Sequence, residues 1–432
     1  MSEAILARLL AGAFRDPDGG ATLSVPTRHV AIGRGLRADL AAFLDKAGMP
    51  AEIAIVSDPA TRAAVGPEAL QRLTGRARMA EIVLGTAPHP DMAAVARVRS
   101  LSTEAKGLMS VGSGSVTDIV KYAAHLDGKP FVAVATAPSM NGYTSMNAAI
   151  TVEGHKRTLP ATPALGVLFD LDVLVAAPAR MIRAGFADSL ARATAQTDWL
   201  MAHRLLGTPY RTAPFALLAD DEPALIADAA HLLTGDGMAM ARLARVLALS
   251  GFGMTICGGS YPASQGEHLV SHLIEMLGNP SWPPALHGEQ IAVTTLTMAR
   301  LQEDMLARDT IQVRPEPVDR VALAAFFGDE LGAACAQEMA GKALTLERAA
   351  DLNVTLARCW AEIRPELHRT LGSSARILTA LQQVGAPTTP EDIQVPRPFY
   401  DDAVLHAREI RDRFTFLDLA AGAGLLQPHR LH

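Results

Sequence analysis

The sequence of 432 residues has few cysteines, few aromatic residues and no excess of basic charge. Its three cysteines, Cys257, Cys335 and Cys359, never stand in CxxC spacing, which argues against a disulfide framework and against a zinc site made of thiolates. The net charge is −6, and lysine and arginine are scattered along the chain without aromatic interleaving. We therefore expect a protein of a reducing compartment that binds no nucleic acid.

Long hydrophobic runs are also missing. No stretch of about 18 uncharged apolar residues occurs, so the sequence predicts no membrane-spanning helix and no membrane partner. The opening MSEAILARLLAGAFRDPDGG carries Glu3 and Arg8 within its apolar part, which is not the pattern of a signal peptide. We expect a cytoplasmic protein.

The length and the order of the apolar runs predict two domains, because single hydrophobic cores stop growing near about 250 to 300 residues. In the first part, β-branched runs alternate with helical patterns, which indicates an α/β domain with a largely parallel sheet. These runs are residues 51–58, 80–86, 107–113, 131–137 and 166–174. Ala- and Leu-rich stretches follow, such as 179–207 and 223–250, and they predict helices. We therefore expect an α/β domain over residues 1–178 and an all-α domain over residues 179–432.

The stretch LMSVGSGSVTDIVKYAAHL, residues 108–126, runs from an apolar strand through Gly-Ser-Gly-Ser into a helix. Backbone N–H groups at such a helix start attract phosphate, and glycine lets the ligand approach closely. The motif is weak by itself, because Thr117 stands where GxGxxG has its third glycine. An equally good interpretation is a helix capped by Ser115, with Asp118 completing a capping box and no ligand bound.

Asp58 closes the strand pattern of residues 51–58. An acidic side chain at this place can accept a hydrogen bond from the adenosine ribose, which favours NAD over NADP. The Asp-Pro pair is also an ordinary turn start, so the residue alone does not decide between the two interpretations.

The segment SQGEHLVSHLIEM, residues 264–276, places His268 and His272 four apart on one helical face, a spacing compatible with a metal. His287 follows at the expected start of another helix, and Asp188 stands about one turn into a helix of the same part of the chain. These residues fit a metal site made of histidines and a carboxylate. The alternatives are an exposed HxxxH face and, for Asp188, a favourable charge near a helix start.

Six ordered segments resemble the sn-glycerol-1-phosphate dehydrogenases, within the superfamily of iron-containing alcohol dehydrogenases, glycerol dehydrogenases and dehydroquinate synthases. The segments are GSGSVTDIVKYAA, TAPSMNGYTSMNAAI, PALGVLFDLDVLVAAPARMIRAGFADSLARATAQTDW, YPASQGEHLVSHLIEM, LHGEQIAVTTLTMARL and IRDRFTFLDLAAGAGLL. The resemblance implies a dehydroquinate synthase-like fold, in which an N-terminal Rossmann-like domain binds NAD(P) and a helical domain carries one divalent metal in the cleft. It also favours a homo-oligomer.

The resemblance implies roles for individual residues. The metal ligands would be Asp188, His268 and His287, with His272 left to a supporting or packing role. Residues matched to the cofactor site are Gly112, Gly114, Ser115, Asp118, Lys121, Thr136, Ser139 and Ser145. Two positions depart from the family pattern: Ser113 replaces a glycine, and Asn141 replaces an aspartate near the substrate hydroxyls. Asn141 can form hydrogen bonds but carries no charge, which bears on the substrate.

The expected reaction is the interconversion of sn-glycerol 1-phosphate and dihydroxyacetone phosphate, with NAD or NADP and one divalent metal. Two imidazoles and a carboxylate suit Zn2+, with Ni2+ or Fe2+ as alternatives. His155, Lys156 and Arg157 are candidate cations for the substrate phosphate, although EGHK is also a good hairpin turn. The competing hypotheses are a dehydrogenase of unphosphorylated polyols, a dehydroquinate synthase-like lyase, and a binding protein without catalytic activity.

Overall fold

The computed structural model of the protein describes residues 2–75, 78–153 and 155–431. The chain forms two compact units. Unit 1 comprises Met1–Ser189 and Arg211–Ser260, and unit 2 comprises Leu190–Tyr210 and Tyr261–His432.

Unit 1 is built on a parallel sheet. The strands of this unit are β1 (Phe14–Arg15), β2 (Thr22–Leu23), β3 (His29–Gly33), β4 (Glu52–Ser57), β5 (Arg78–Val83), β6 (Gly107–Gly112), β7 (Phe131–Ala135), β8 (Asn147–Val152), β9 (His155–Pro160) and β10 (Gly166–Asp170). Six of them form the parallel sheet, in the order β3-β10-β7-β6-β4-β5. The pairs β1-β2 and β8-β9 are antiparallel hairpins.

Helices connect the strands of unit 1 and make up unit 2. Unit 1 contains α1 (Ser2–Leu10), α2 (Leu40–Ala47), α3 (Pro59–Val65), α4 (Pro67–Gln71), α5 (Met92–Leu101), α6 (Gly114–Leu126), α7 (Leu171–Leu174), the first part of α8 (Ala179–Leu206), α9 (Ala213–Leu218), α10 (Asp221–Ala227) and α11 (Gly237–Cys257). Unit 2 contains the rest of α8, α12 (Gly266–Leu277), α13 (His287–Leu306), α14 (Arg320–Phe327), α15 (Asp329–Ala340), α16 (Leu346–Thr370), α17 (Ser374–Val384), α18 (Arg397–His406) and α19 (Phe416–Gly422).

Burial of the central strands explains their composition. Every residue of β6, β7 and β10 is buried, as in parallel sheets that helices cover on both faces. Because all six strands run in the same direction, the segments that follow Ser57, Gly112 and Ala135 leave from one edge of the sheet. That edge holds several of the residues predicted to bind the cofactor.

The predicted fold class is confirmed: a parallel α/β sheet is followed by a mostly helical region. Some predicted bounds were wrong. The strand expected over residues 166–174 ends at Asp170, because the Asp170 side chain accepts from Asp172 N and begins α7. The helix expected over residues 223–250 is interrupted, because Gly235 adopts a positive φ and Asp236 caps the start of α11.

The compact units do not follow one cut near residue 178. Residues of α11 pack against α7, α9 and β3, so α11 belongs to the unit that contains the sheet, although the sequence predicted it for the second domain. The assignment of cofactor binding to residues 1–178 and of metal binding to residues 179–432 stays a prediction.

One helix of the described residues, α11, is long and apolar enough to cross a membrane, and 72% of its apolar window is buried inside the protein. Two arginines lie within it, and Arg245 forms a buried ion pair with Asp221 at 2.6 Å. Burial and pairing of this kind are typical of a core helix.

Unit 2 has its own hydrophobic core. Buried side chains from successive helices meet there, among them Leu269, Leu301, Leu352, Trp360 and Tyr400. The Tyr400 hydroxyl forms a 2.8 Å hydrogen bond with Thr297, so this buried polar group is satisfied. The core fixes α12 and α13, the helices that carry the paired histidines.

Candidate active site

The structure brings together the three predicted metal ligands. Candidate ligand atoms of Asp188, His268 and His287 all lie within 4.8 Å of one another. His268 lies in the first turn of α12, and His287 is the first residue of α13, the helix start predicted for it. Asp188 lies in α8, nearly three turns from its start and not about one turn as predicted. Asp188 is the tenth residue of α8, so the interpretation that it serves a nearby helix start is wrong.

The two imidazoles differ in their surroundings. His268 is 6% exposed, and its Nδ1 lies 2.9 Å from Glu267 Oε1. The His287 ring lies 5.2 Å from the His268 ring, and its Nδ1 is buried without a hydrogen-bond partner in the described part of the chain. Glu275 Oε1 lies 3.7 Å from His287 Nδ1. Two imidazoles and one carboxylate are a common donor set for a divalent ion.

His272 lies beside these residues. Its ring centroid is 6.0 Å from that of His268 and 6.2 Å from that of His287. Spacing alone could not separate His272 from the other two histidines. The three-residue cluster contains His287 and not His272, in agreement with the ligand set that the family resemblance implied.

The loop after β7 places Asn141 next to the cluster. The Asn141 backbone N–H donates to Asp188 Oδ2 at 3.3 Å, and its side-chain Nδ2 lies 3.5 Å from Ser250 Oγ. Thr144 Oγ1 anchors the same loop to α11 by donating to Ala248 O at 2.7 Å. Asn141 is partly exposed, so its neutral amide can meet a ligand.

Helices α8 and α11 approach this loop very closely. A Cβ at Gly185 would overlap the Pro138 carbonyl oxygen and lie 3.0 Å from Ser139 Cα. Only glycine fits between helix and loop at this point.

Lys121 forms hydrogen bonds with the loop that carries Asn141. Its side chain is completely buried, and its Nζ donates to the carbonyl oxygens of Gly142 and Asn147, with Ser145 Oγ at 3.4 Å. Burial lowers the pKa of Lys121 to about 8. Asp118 Oδ2 accepts from Ala149 N at 3.2 Å. The contacts of Lys121, Ser145 and Asp118 with the loop and β8 support the loop; their predicted contact with a cofactor stays a prediction.

The glycine-rich segment forms the predicted strand-to-helix turn. Strand β6 ends at Gly112, and α6 begins at Gly114, with Ser113 as the N-cap and without a hydrogen bond from its side chain. The capping interpretation of Ser115 and Asp118 is therefore wrong, because both residues lie inside the helix. The first-turn amides of α6 have no side-chain cap, which suits an anion.

Other predicted cofactor residues lie at the same sheet edge. Thr136 follows β7, and its N–H donates to Gly112 O at 3.2 Å. Ser139 is partly exposed in the next turn. Asp58 follows β4 and is 8% exposed; its Oδ1 accepts from Thr61 N at 2.8 Å and caps α3. Asp58 thus begins a helix directly after the strand, as the turn interpretation allowed. Its predicted contact with the cofactor ribose stays a prediction.

Known proteins agree with this arrangement. A family model described as iron-containing alcohol dehydrogenase matches residues 31–178. The chain is 26% identical over 424 residues to a glycerol-1-phosphate dehydrogenase (NAD(P)+) of Bacillus velezensis, covering 96% of this chain and 97% of that protein. It is 30% identical over 275 residues to one of Pyrococcus abyssi, covering 63% of this chain and 78% of that protein. The chain belongs to the iron-containing alcohol dehydrogenase family.

A solved structure of a probable glycerol dehydrogenase from Sinorhizobium meliloti 1021 has the same fold, with a TM-score of 0.59 at 18% identity. The alignment covers 93% of this chain and 96% of that one. This structure shows the fold alone. The family model and the similar sequences confirm the predicted oxidoreductase family, and the chain is a glycerol-1-phosphate dehydrogenase-like enzyme of the iron-containing alcohol dehydrogenase family.

In this member of the iron-containing alcohol dehydrogenase family, the candidate phosphate-binding hairpin is only partly described. Arg157 is exposed on β9, while the side chains of His155 and Lys156 lie outside the described residues. The antiparallel pairing of β8 with β9 fits the interpretation of TVEGHKRTL as a hairpin.

Sequence reasoning missed two charged residues that adjoin the proposed ligands along the chain. Glu267 stands immediately before His268, and an acidic neighbour of a candidate ligand is a signal that could have identified it. Arg192 lies four residues after Asp188 in α8, on the same helix face. Its Nη1 donates to Gln196 Oε1 at 2.6 Å, and Gln196 Nε2 donates to Tyr210 OH at 3.1 Å, so this cation is oriented by its neighbours.

Proposed function

We propose that the protein is a metal-dependent NAD(P)-linked dehydrogenase that interconverts sn-glycerol 1-phosphate and dihydroxyacetone phosphate. The convergence of Asp188, His268 and His287 is the observation that carries this proposal. The two glycerol-1-phosphate dehydrogenases that resemble most of the chain support the substrate class.

Asp188, His268 and His287 would hold one divalent ion. A bound ion supplies Lewis-acid polarisation of the reacting oxygen. The donor set suits Zn2+ best, and Ni2+ and Fe2+ are alternatives. The chain itself orients this centre: Asn141 N–H fixes Asp188 Oδ2, and Glu267 contacts the His268 ring.

The cofactor would lie along the carboxyl edge of the sheet. The amides of Gly114 and Ser115 would bind the pyrophosphate, and Gly112 would permit its close approach. Thr136, Ser139 and Ser145 would line the cofactor, and Asp58 favours NAD over NADP because a carboxylate repels the 2′-phosphate. NAD(P) supplies the hydride chemistry, while the protein supplies orientation.

The substrate phosphate requires a cation, and Arg192, one turn after Asp188 in α8, is our candidate for this role. Neighbouring side chains four apart on a helix have Cβ atoms about 5–6 Å apart, so Arg192 stands next to Asp188. Its guanidinium is partly buried and oriented by Gln196. Asn141 would form a hydrogen bond with a substrate hydroxyl without adding negative charge near the phosphate.

The neutral Asn141 is also the observation that favours a second candidate, a dehydrogenase of unphosphorylated polyols. The two functions are separated by NADH oxidation with dihydroxyacetone phosphate and with dihydroxyacetone, using protein reconstituted with Zn2+, Ni2+ or Fe2+. A charge-assisted contact of ~1.5–3 kcal/mol predicts a kcat/KM at least about tenfold higher for the phosphorylated substrate.

Equal or better use of dihydroxyacetone would favour the polyol dehydrogenase. Stoichiometric metal and NADH binding without turnover of either ketone would favour a non-catalytic protein. Continuous NADH oxidation with dihydroxyacetone phosphate would exclude a lyase that regenerates its NAD within each turnover.

The cytoplasmic location and the homo-oligomeric state stay predictions. All three cysteines are unpaired in the structure, which agrees with a reducing compartment. Light scattering on the purified protein measures the oligomeric state directly.

A further inference from the structure

The side chain of Glu267 is completely buried against the proposed ligand His268. Glu267 Oε1 lies 2.9 Å from His268 Nδ1. An ionised carboxylate only accepts hydrogen bonds, so the proton of a neutral His268 ring must be on Nδ1. This tautomer places the lone pair of the ring on Nε2, and a neutral imidazole binds a cation through its lone pair.

The carboxylate of Glu267 is itself fixed in place. Its Oε1 also accepts from Gln265 N at 2.8 Å, and its Oε2 accepts from Thr194 Oγ1 at 3.0 Å. Thr194 lies in α8, the helix that carries Asp188. The hydrogen bonds therefore run from α8 through Glu267 to the His268 ring.

We propose that Glu267 is a positioning residue of the metal centre, which fixes the tautomer and the ring orientation of His268 so that Nε2 binds the metal. This inference rests on the metal site of the proposed function. Carboxylates that accept from the second nitrogen of a metal-bound histidine commonly contribute 10- to 100-fold in metal affinity, which is about the effect expected here.

The alternative explanation is that Glu267 only stabilises the start of α12. Asp198 gives a matched control, because it is completely buried and binds the same helical turn by accepting from Gly266 N at 3.0 Å. Burial raises the pKa of Asp198 to about 8. Asparagine keeps the size of this side chain, but its amide nitrogen cannot accept a hydrogen bond, so Asp198→Asn weakens the hydrogen bonding at the start of α12 without touching the His268 ring. Asp198 does not share the hydrogen bond to the His268 ring, since the three hydrogen bonds that it accepts come from Gly266 N, Phe416 N and Gln302 Nε2.

The experiment measures Zn2+ affinity of the full-length protein by competition with a chromophoric chelator, in the absence of substrate and cofactor. The variants are Glu267→Ala, Glu267→Gln and Asp198→Asn, each compared with the wild type. In Glu267→Gln, the amide oxygen can still accept from His268, and the amide Nε2 can donate to Thr194 Oγ1, whose proton is then directed to Ala191 O. The visible spectrum of the Co2+ protein and the thermal stability of the metal-free protein are recorded for each variant.

We expect Glu267→Ala to weaken Zn2+ binding by about 10- to 100-fold and to change the Co2+ spectrum. Glu267→Gln should recover most of the affinity, and Asp198→Asn should stay within about threefold of the wild type. Metal affinity within about threefold of wild type in Glu267→Ala, or an equal loss in Asp198→Asn, would overturn the inference. A wild-type protein that binds no divalent ion would overturn both the role of Glu267 and the proposed metal dependence. Wild-type binding that Glu267→Ala leaves unchanged would overturn the role of Glu267 alone.

Discussion

Replacement of Gly251 by alanine should disturb the loop that carries Asn141. A Cβ at Gly251 would overlap Thr144 Oγ1 and would lie 2.5 Å from the Asn141 carbonyl oxygen and 3.1 Å from Ser145 N. Ordinary contacts begin at 3.4 Å, so the Asn141 carbonyl must move by about 1 Å relative to α11. Two of these three neighbours are backbone atoms, and no flexible side chain can absorb the whole movement.

Two effects on stability oppose each other in this variant. Alanine is favoured over glycine inside a helix by ~1 kcal/mol. Over-packing of a tight contact costs ~1–3 kcal/mol. Because the loop is tied to Lys121 and α11, we expect over-packing to dominate, with a net loss of up to about 2 kcal/mol in the free energy of unfolding.

The effect on activity should be larger. A misplacement of 1 Å at a catalytic site can reduce the rate by about 100-fold. We therefore expect Gly251→Ala to lower kcat/KM for dihydroxyacetone phosphate by about that factor, measured by steady-state NADH oxidation. Urea unfolding measures the stability of the same preparation.

Gly253→Ala is the matched control for this prediction. It is the same substitution on the same helix, but its Cβ would lie 3.0 Å from Pro214 Cβ, away from the Asn141 loop. We expect its kcat/KM to stay within about threefold of wild type. A folded Gly251→Ala protein with wild-type kcat/KM would refute the argument that this loop positions the substrate.

Other substitutions test the proposed metal, substrate and lysine contacts. His268→Ala should purify without bound zinc, measured by elemental analysis, and retained zinc would contradict the ligand set. Arg192→Met should lower kcat/KM for dihydroxyacetone phosphate by about 10- to 100-fold and leave that for dihydroxyacetone unchanged, whereas equal losses would argue against a phosphate contact. Burial lowers the pKa of Lys121 to about 8 from 10.5, so above pH 8 the folded protein has released a proton that the unfolded chain still binds. The stability of the wild type relative to Lys121→Met should therefore rise by about 2 kcal/mol between pH 8 and pH 10 in urea unfolding, and a flat difference would show that Lys121 keeps its ordinary pKa.

Much of the fold could be predicted because the buried strands are nearly continuous apolar runs. Strand β6 and α6 follow directly from LMSVGSGSV and the helical pattern after it. Strand β3, HVAIG, was missed because it lies at the sheet edge, where its residues are only partly buried; β7 and β10 have the same length and were predicted. The break before α11 was missed because the turn depends on the backbone of Gly235, which composition did not single out.

The candidate site shows where sequence reasoning stops. Spacing identified His268 and His272 as a pair, but convergence with His287 depends on how α13 packs beside α12. The family resemblance selected the set that the structure brings together. The role of Glu267 depends on side-chain direction, since the residue before His268 could equally have pointed to solvent.

The contact at Gly185 has a mechanical consequence. Since the Pro138 carbonyl oxygen fills the space of a side chain at Gly185, helix α8 cannot move closer to the turn ahead of Asn141 without pushing it. The hydrogen bond from Asn141 N to Asp188 Oδ2 opposes their separation. The two contacts together fix the distance between a proposed metal ligand and the neutral amide beside it.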